Sequence, residues 1–186
     1  MNDETINITF RCSKARTAFY VNAEVWRSRY MKQSLKSLLF KTIVLSILFY
    51  GHETWTLPAN SMTRLTATYH LLAKRACNLR PTQLEDGTYI TGSATTARHI
   101  LNIPTLEEYL RTGRLRLFGQ LKRGQDFLPT ISDPASAPKR RRGAINMSWN
   151  TLIAQDIVIR NLDPQDALNN ALWESKIKAK LPRNTQ

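Results

Sequence analysis

The sequence predicts a mainly α-helical protein, a helical bundle followed by a loosely attached basic extension. Apolar residues recur at helical spacing in several segments, residues that cap or stop helices flank those segments, and no run shows the sustained alternation of a strand. The 186 residues are 42% hydrophobic. This apolar fraction excludes a wholly disordered chain and is sufficient for the core of one ordinary domain. Two cysteines are too few for a disulfide scaffold.

The first predicted helix covers residues 10–29, and residues 1–9 are predicted to be an N-terminal tail. Four apolar side chains mark one helix face, namely Ala15, Phe19, Ala23 and Trp26. The tail carries Asp3 and Glu4 and lacks the apolar run of a signal peptide. With two cysteines and no export signal, we expect a reducing, intracellular compartment.

The second predicted helix covers residues 34–50 and stops at Gly51. Its first half has an apolar face formed by Leu35, Leu38, Leu39 and Thr42. Its second half, residues 43–49, is apolar on all sides, which is typical of a helix enclosed by others. The apolar run is shorter than the roughly 20 residues that span a bilayer. We therefore predict a buried helix and no membrane partner.

The third predicted helix covers residues 62–79, with Asn60 or Ser61 as the N-cap. Pro81 ends it, and residues 81–93 are predicted to be a loop. The three helices are expected to pack around a common core. Its predicted members are Phe19, Trp26, Leu38, Ile43, Ile47, Leu65 and Leu72.

A fourth helix is predicted over residues 105–123, where Thr105 and Glu108 fit a capping box. Gly113 and Gly119 weaken it and favour a break. The predicted bundle therefore spans residues 10–123. A Pro-containing basic linker follows at residues 124–145, then two short helices in an extension over 146–181, and a tail at 182–186. Asp163 followed by Pro164 marks the start of the last helix.

The formal net charge of +13 predicts a polyanionic partner. Nucleic acid is the favoured candidate. An anionic membrane surface is the weaker alternative and is not predicted, because most of the helices carry apolar faces suited to packing against one another. Two clusters contain no acid, residues 111–123 and 139–142. In the first cluster, Arg114 and Arg116 beside Phe118 would combine phosphate contacts with a stacking surface. The alternative is an ordinary solvated helix face. The second cluster fits equally a flexible phosphate-binding linker and a nuclear import signal, which would favour the nucleus.

No catalytic or metal-binding pattern emerges from the residues. His70 and Cys77 share a stripe of the third helix, but seven residues correspond to roughly 10 Å along a helix axis. A zinc ion requires ligands at about 2.0–2.3 Å, so these two are predicted not to share one. The sequence contains neither a Gly-rich phosphate loop nor a nucleophile-elbow pattern.

Several motifs, taken in order, resemble the region downstream of the polymerase core in reverse transcriptases of non-LTR retrotransposons. The most specific is the apolar helix followed by Tyr50-Gly51 and then by Glu53-Thr54-Trp55. The other resembling segments are residues 14–19, 26–29, 74–77, 114–119 and 139–143, together with Trp149 and Trp173. The resemblance covers most of residues 10–175.

The resemblance implies a helical thumb that grips a template–primer duplex of RNA or RNA–DNA. The polymerase carboxylates of the family lie upstream, so it implies no catalytic residue here, no cofactor on this chain, and magnesium only for the missing catalytic domain. The missing palm is a further expected partner, and residues 43–49 a candidate surface for it. The residues expected to bind nucleic acid are Lys14, Arg16, Arg27, Arg29, Lys74, Arg75, Arg111, Arg114, Arg116, Lys122, Arg123, Lys139, Arg140, Arg141 and Arg142.

Three functions remain open from the sequence. The first is a noncatalytic nucleic-acid-binding fragment of such a reverse transcriptase. The second is part of an active RNA-directed DNA polymerase whose palm lies outside this chain. The third is a degenerate open reading frame that has retained its helices but no activity.

Overall fold

The computed structural model of the chain is mainly helical, which confirms the predicted class. It describes residues 3–79, 82–83, 89–90, 92–124 and 148–179. The helices are α1 (Asp3–Val21), α2 (Ala23–Arg27), α3 (Gln33–Leu39), a π-helical segment (Phe40–Leu45), α4 (Ser46–Leu48), a 3₁₀ turn (His52–Thr54), α5 (Ala59–Ala76), α6 (Ala94–Leu101), α7 (Leu106–Arg123), α8 (Trp149–Arg160), a second 3₁₀ turn (Pro164–Leu168) and α9 (Asn170–Lys178). Within the predicted loop, strands β1 (Thr82–Gln83) and β2 (Tyr89–Ile90) pair antiparallel.

The described residues form two compact units whose boundaries differ from the predicted ones. Unit 1 comprises Met1–Tyr50 and Leu57–Leu106, and unit 2 comprises Gly51–Thr56 and Glu107–Gln186. We had assigned α7 to the first bundle, but Leu115 and Phe118 of α7 share a buried core with α8 and α9. The extension is therefore built into a unit with α7. The predicted linker lies outside the described residues except for Gly124, and the predicted tail at 182–186 lies wholly outside them.

Unit 1 is organised around α5, which packs against α1 and α6. Phe19, Trp26, Leu65 and Leu72 are buried, as predicted. The rings of Phe19 and Trp26 stack with centroids 4.9 Å apart. The predicted N-terminal tail was wrong for residues 3–9, because α1 already begins at Asp3. The first predicted helix is also interrupted at Asn22, between α1 and α2.

The predicted buried face of the second helix was wrong. Leu35 and Leu38 are 45% and 55% exposed, whereas Lys36 and Ser37 are buried. The prediction assumed 3.6 residues per turn throughout, but the π-helical segment Phe40–Leu45 has i→i+5 bonding, whose wider turn changes the order in which side chains face the core.

The apolar run that we considered as a palm-binding surface lies largely inside unit 1. Val44, Leu45, Leu48 and Phe49 are all buried in the unit's own core. Ile43 and Ile47, which we predicted in the core, are only half-buried. The run therefore stabilises unit 1 itself. No helix among the described residues is long and apolar enough to cross a membrane.

Helix ends in unit 1 follow local chemistry only in part. Gly51, which follows α4, has the left-handed conformation expected of a helix stop (φ 68°). The predicted N-cap of the third helix was wrong, because α5 begins at Ala59 with Pro58 in the capping position. Helix α6 was not predicted, although Ser93 caps it through a bond from the Thr95 N–H and Asn102 ends it in the left-handed conformation.

In unit 2, α7 is continuous from Leu106 to Arg123, so the break that its two glycines would allow does not occur. Each glycine allows a ring to approach the helix backbone. A Cβ atom at Gly113 would lie 2.1 Å from Nε2 of His52, and one at Gly119 would lie 2.6 Å from Nε1 of Trp173. The indole N–H of Trp173 donates to the Leu115 carbonyl at 2.9 Å. Close packing therefore accounts for the glycines.

We expect Gly119→Ala to destabilise unit 2 by about 1 kcal/mol. Alanine favours a helix interior by about 1 kcal/mol, but overpacking a buried site costs about 1–3 kcal/mol, and the bonded Trp173 ring has little freedom to move away. Urea unfolding followed by the Trp173 indole resonance measures the change. Gly124→Ala is the control, because its Cβ would meet its nearest atom, the Gln120 carbonyl oxygen, at 3.6 Å. A stabilised Gly119 variant would contradict this packing.

Candidate nucleic-acid interface

Basic residues greatly outnumber acidic ones in most of unit 1. Residues 5–50 and 57–79 contain eleven lysines and arginines and a single acidic residue, Glu24. Among the described residues, no carboxylate forms an ion pair with Lys14, Arg16, Arg27, Arg29, Lys74 or Arg75. These are the six residues of unit 1 that we predicted to bind nucleic acid. None of the six is therefore held in a direct ion pair with a described carboxylate.

Three of these six cations come together on one cleft. Arg27 of α2 and Lys74 and Arg75 of α5 line a cleft with a volume of about 570 Å³. We name this feature the basic cleft. Its remaining lining residues are Phe19, Tyr20, Ala23, Trp26, Leu71, Asn78 and Leu79. The lining contains no acidic residue, so the cleft combines apolar walls with an excess of positive charge.

The rear of the basic cleft is held in place by hydrogen bonds around Trp26. The indole N–H donates to the Phe19 carbonyl at 2.8 Å. The Trp26 carbonyl accepts from Nζ of Lys36 at 3.0 Å and from Nδ2 of Asn78 at 3.2 Å. These bonds connect α1, α2, α3 and the end of α5. The cleft is therefore formed by residues whose positions are fixed within the fold.

Tyr20 is a cleft residue that the sequence analysis missed. Its ring is 47% exposed, and Cζ of Arg75 lies 5.4 Å from the ring centroid. A cation over an aromatic face is attracted by the ring's electrons, so the two side chains position each other. The signal available in the sequence was an aromatic residue one turn after Arg16 on the same helix face, close to further basic residues.

The other predicted cations of unit 1 lie outside the cleft lining. Arg16 is exposed and donates from Nη2 to Oγ1 of Thr68 at 3.0 Å. The ammonium of Lys14 lies 5.3 Å from the ring centroid of Phe10, which is itself exposed. Arg29 is exposed just after α2. They extend the positive surface without joining the cleft.

In unit 2, the predicted phosphate-binding arginines are bound by carboxylates. Asp156 of α8 is buried and accepts from Nε of Arg111 at 3.1 Å and from Nε of Arg114 at 2.7 Å. Nη2 of Arg114 adds a second bond to the same carboxylate at 3.1 Å. Asp156 was not predicted as a site residue, although it is the one acid of α8 and is followed by the apolar Ile157 and Val158.

The remaining predicted cations of α7 are also engaged within unit 2. Arg116 pairs with Glu174 at 3.0 Å, and hydrogen bonds from Arg116 and Lys178 outweigh burial and lower the pKa of Glu174. Arg123 donates to the Ala167 carbonyl at 2.7 Å. Lys122 lies 5.8 Å from the ring centroid of Phe118. The predicted stacking role of Phe118 was wrong, because its ring is buried in the core of unit 2.

The second predicted basic cluster, Lys139, Arg140, Arg141 and Arg142, lies outside the described residues. The structure therefore brings Arg27, Lys74 and Arg75 together in unit 1. In unit 2 it joins Arg111 and Arg114 through one buried carboxylate.

Neither His70 nor Cys77 belongs to a metal-binding group among the described residues, where no cluster of three or more suitable ligands occurs. Burial raises the pKa of Cys77 to about 11, against the opposing charge of Lys36. The thiol is therefore protonated at neutral pH. Burial, together with the charges of Arg98 and Lys74, lowers the pKa of His70 below its ordinary 6.5.

We expect a polyanion bound at the basic cleft to raise the pKa of His70. Phosphates beside Lys74 would offset the positive potential that disfavours the imidazolium ion. In the free protein the lowered pKa of His70 makes the free energy of unfolding depend on pH. This free energy is highest above about pH 6.5 and decreases as the pH falls through the folded-state pKa, because the unfolded state binds the proton more readily. An NMR titration of the His70 ring with and without an oligonucleotide measures the shift. Lys74→Gln should raise the free-state pKa and reduce the ligand-induced change, whereas an unmoved titration would contradict binding near Lys74.

Comparison with models of known protein families, with curated proteins and with solved structures gives no match to this chain.

Proposed function

We propose that this chain is a noncatalytic, nucleic-acid-binding helical fragment of a non-LTR retrotransposon reverse transcriptase. Unit 1 would contact the phosphate backbone of an RNA or RNA–DNA template–primer duplex. The observation that carries the proposal is the basic cleft, where Arg27, Lys74 and Arg75 meet in a lining that contains no acidic residue. The ordered motifs that resemble this family in the sequence supply the proposed origin.

Phosphate binding by unit 1 has a clear physical basis. Each cation that neutralises a phosphate releases a condensed counterion, which supplies affinity without reading the base sequence. A cation already paired with a carboxylate supplies much less, because the pair must first be broken. This favours the six unpaired cations of unit 1 over Arg111, Arg114 and Arg116, each of which is bound to a carboxylate.

The motifs that resemble the family in unit 2 have a structural role within our proposal. The indole N–H of Trp149 donates to the Glu53 carbonyl at 2.7 Å, and the Trp173 ring covers Gly119. Segments far apart in the sequence are thus joined by the side chains that carry the resemblance. We propose that the side chains of unit 2 that carry the resemblance stabilise that unit, and that unit 1 binds the nucleic acid.

A salt titration tests the proposed binding. The intact chain is mixed with a fluorescently labelled RNA–DNA hybrid, and the dissociation constant is measured by anisotropy at increasing salt. With three to six phosphate contacts, we expect the logarithm of the association constant to fall linearly with log salt, at a slope between about −3 and −5. Two hybrids of unrelated sequence should bind with similar affinity. Affinity that does not depend on salt, or no binding at low salt, would contradict the proposal.

A primer-extension assay separates this proposal from an enzymatic one. We propose that the catalytic carboxylates and their magnesium belong to a palm outside this chain. The isolated chain should then give no magnesium-dependent extension of a primer, while still binding the template–primer duplex. Extension by the purified chain would establish a polymerase and overturn the noncatalytic assignment.

A further inference from the structure

We propose that the basic cleft of unit 1 binds an unpaired nucleotide, with its base stacked at Tyr20 and Arg75 and its phosphates at Arg27 and Lys74. This inference rests on the proposed function and names the part of the nucleic acid that the cleft takes. Such a nucleotide would occur in a single strand or at the unpaired end of a duplex.

The form of the cleft fits a nucleotide. Its volume of about 570 Å³ lies within the roughly 300–1,000 Å³ of small-molecule sites. Leu71 and Leu79 give it apolar walls, and such walls suit the faces of a base. In a duplex these faces are stacked inside the helix, whereas an unpaired base can present them to a side chain.

The charge of the cleft fits the phosphates that flank that base. Arg27 reaches the cleft from α2, and Lys74 and Arg75 reach it from α5. No acidic residue lines the cleft, so a phosphate would meet no carboxylate there. A purely apolar ligand would leave these three cations without a counterpart.

The aromatic residue at the mouth of the cleft fits the base itself. Phe19 and Trp26 are 3% and 2% exposed and stack on each other behind the cleft, whereas Tyr20 is 47% exposed. The Phe19 ring meets the Tyr20 ring edge-on, with centroids 5.5 Å apart, and Arg75 lies over the same ring. Tyrosine rings and guanidinium planes are the surfaces on which unpaired bases stack.

The experiment compares two single strands with equal phosphate charge. Anisotropy gives the affinity of the intact chain for an oligothymidylate of about eight nucleotides and for its abasic counterpart of the same length. We expect the strand with bases to bind about tenfold more tightly, since stacking on an aromatic side chain contributes roughly this factor or more. Tyr20→Leu should remove the difference between the strands. Tyr20→Phe, which keeps the ring, should retain it.

Tyr30→Leu is the matched control, because Tyr30 is a 99% exposed tyrosine of unit 1 that does not line the cleft. This variant should still prefer the strand with bases. Equal wild-type affinity for the two strands would overturn the nucleotide site while leaving phosphate binding intact. Absence of binding to either strand and to the hybrid duplex would instead overturn the proposed function. The wild-type comparison decides even if Tyr20→Leu fails to fold.

Discussion

Replacing Arg27, Lys74 and Arg75 together by glutamine is expected to weaken binding of a nucleic-acid duplex about 100-fold at about 0.1 M salt. Losing three phosphate contacts makes the plot of the logarithm of the association constant against log salt shallower, by about 2 to 3 in slope. If both proteins bind equally weakly at about 1 M salt, this difference in slope amounts to about 100-fold or more at about 0.1 M salt. The measurement is the anisotropy titration of the hybrid at several salt concentrations. The variant should bind the hybrid more weakly than the wild type, and its affinity should depend less steeply on salt.

A second triple variant has the same net charge as the first triple variant but leaves the basic cleft intact. Lys32, Lys41 and Arg64 are exposed cations of unit 1 that do not line the cleft. Their replacement by glutamine should weaken binding only a few-fold, because none of them lines the cleft and a charge that contacts no phosphate contributes only a salt-screened attraction. Equal losses for the two triple variants would mean that net charge, and not the cleft, controls binding.

Asp156→Asn is expected to destabilise unit 2 by about 3–5 kcal/mol. The buried carboxylate is the shared partner of Arg111 and Arg114, whose side chains are only 16% and 11% exposed. Removing its charge leaves the poorly solvated guanidinium of Arg114 without a carboxylate and leaves Arg111 with Glu108 alone, at 3.3 Å. This is the costly way to break a buried ion pair. Chemical denaturation followed by the indole resonances measures the effect, with Trp149 and Trp173 reporting on unit 2 and Trp26 on unit 1.

Glu174→Gln is the control for Asp156→Asn. Glu174 also accepts from an arginine, but its partner Arg116 is 45% exposed and remains hydrated when the pair is lost. The expected cost is below about 1 kcal/mol, as for other surface pairs. Similar losses for the two variants would contradict the difference in burial. Because Asp156 lies in unit 2, its replacement should leave duplex binding by unit 1 unchanged when the chain is folded.

The helical class and most helix positions could be predicted because they depend on neighbours in the chain. Apolar spacing located α1, α5 and α7 to within several residues, and Asp163 caps the following turn through the Gln165 N–H as its position before a proline predicts. Prediction failed where the helical period changes. The π-helical segment altered the buried face around Leu38, and no local pattern predicts that wider turn.

The candidate site could be predicted by residue type but not by place. The resemblance and the charge count together gave fifteen cations, Arg27, Lys74 and Arg75 among them. Only the packing of α2 against the end of α5 joins these three in one cleft. The same count ranked Arg114 and Arg116 highest, since their segment contains no acid. Their partners Asp156 and Glu174 follow 42 and 58 residues later, so the neutralisation of these cations is a long-range effect.

The amino-acid sequence alone determined that the chain is helical, strongly basic and apolar enough to fold, because each of these properties is a sum or a short-range pattern of its residues. The tertiary structure decided which charges are free and which are bound. Coulomb interactions and desolvation depend on distances between side chains. These distances are set when α8 places a buried carboxylate against α7, whereas Arg27, Lys74 and Arg75 form no ion pair with a carboxylate among the described residues. The proposed nucleic-acid surface therefore lies on unit 1 and not on the most basic stretch of α7.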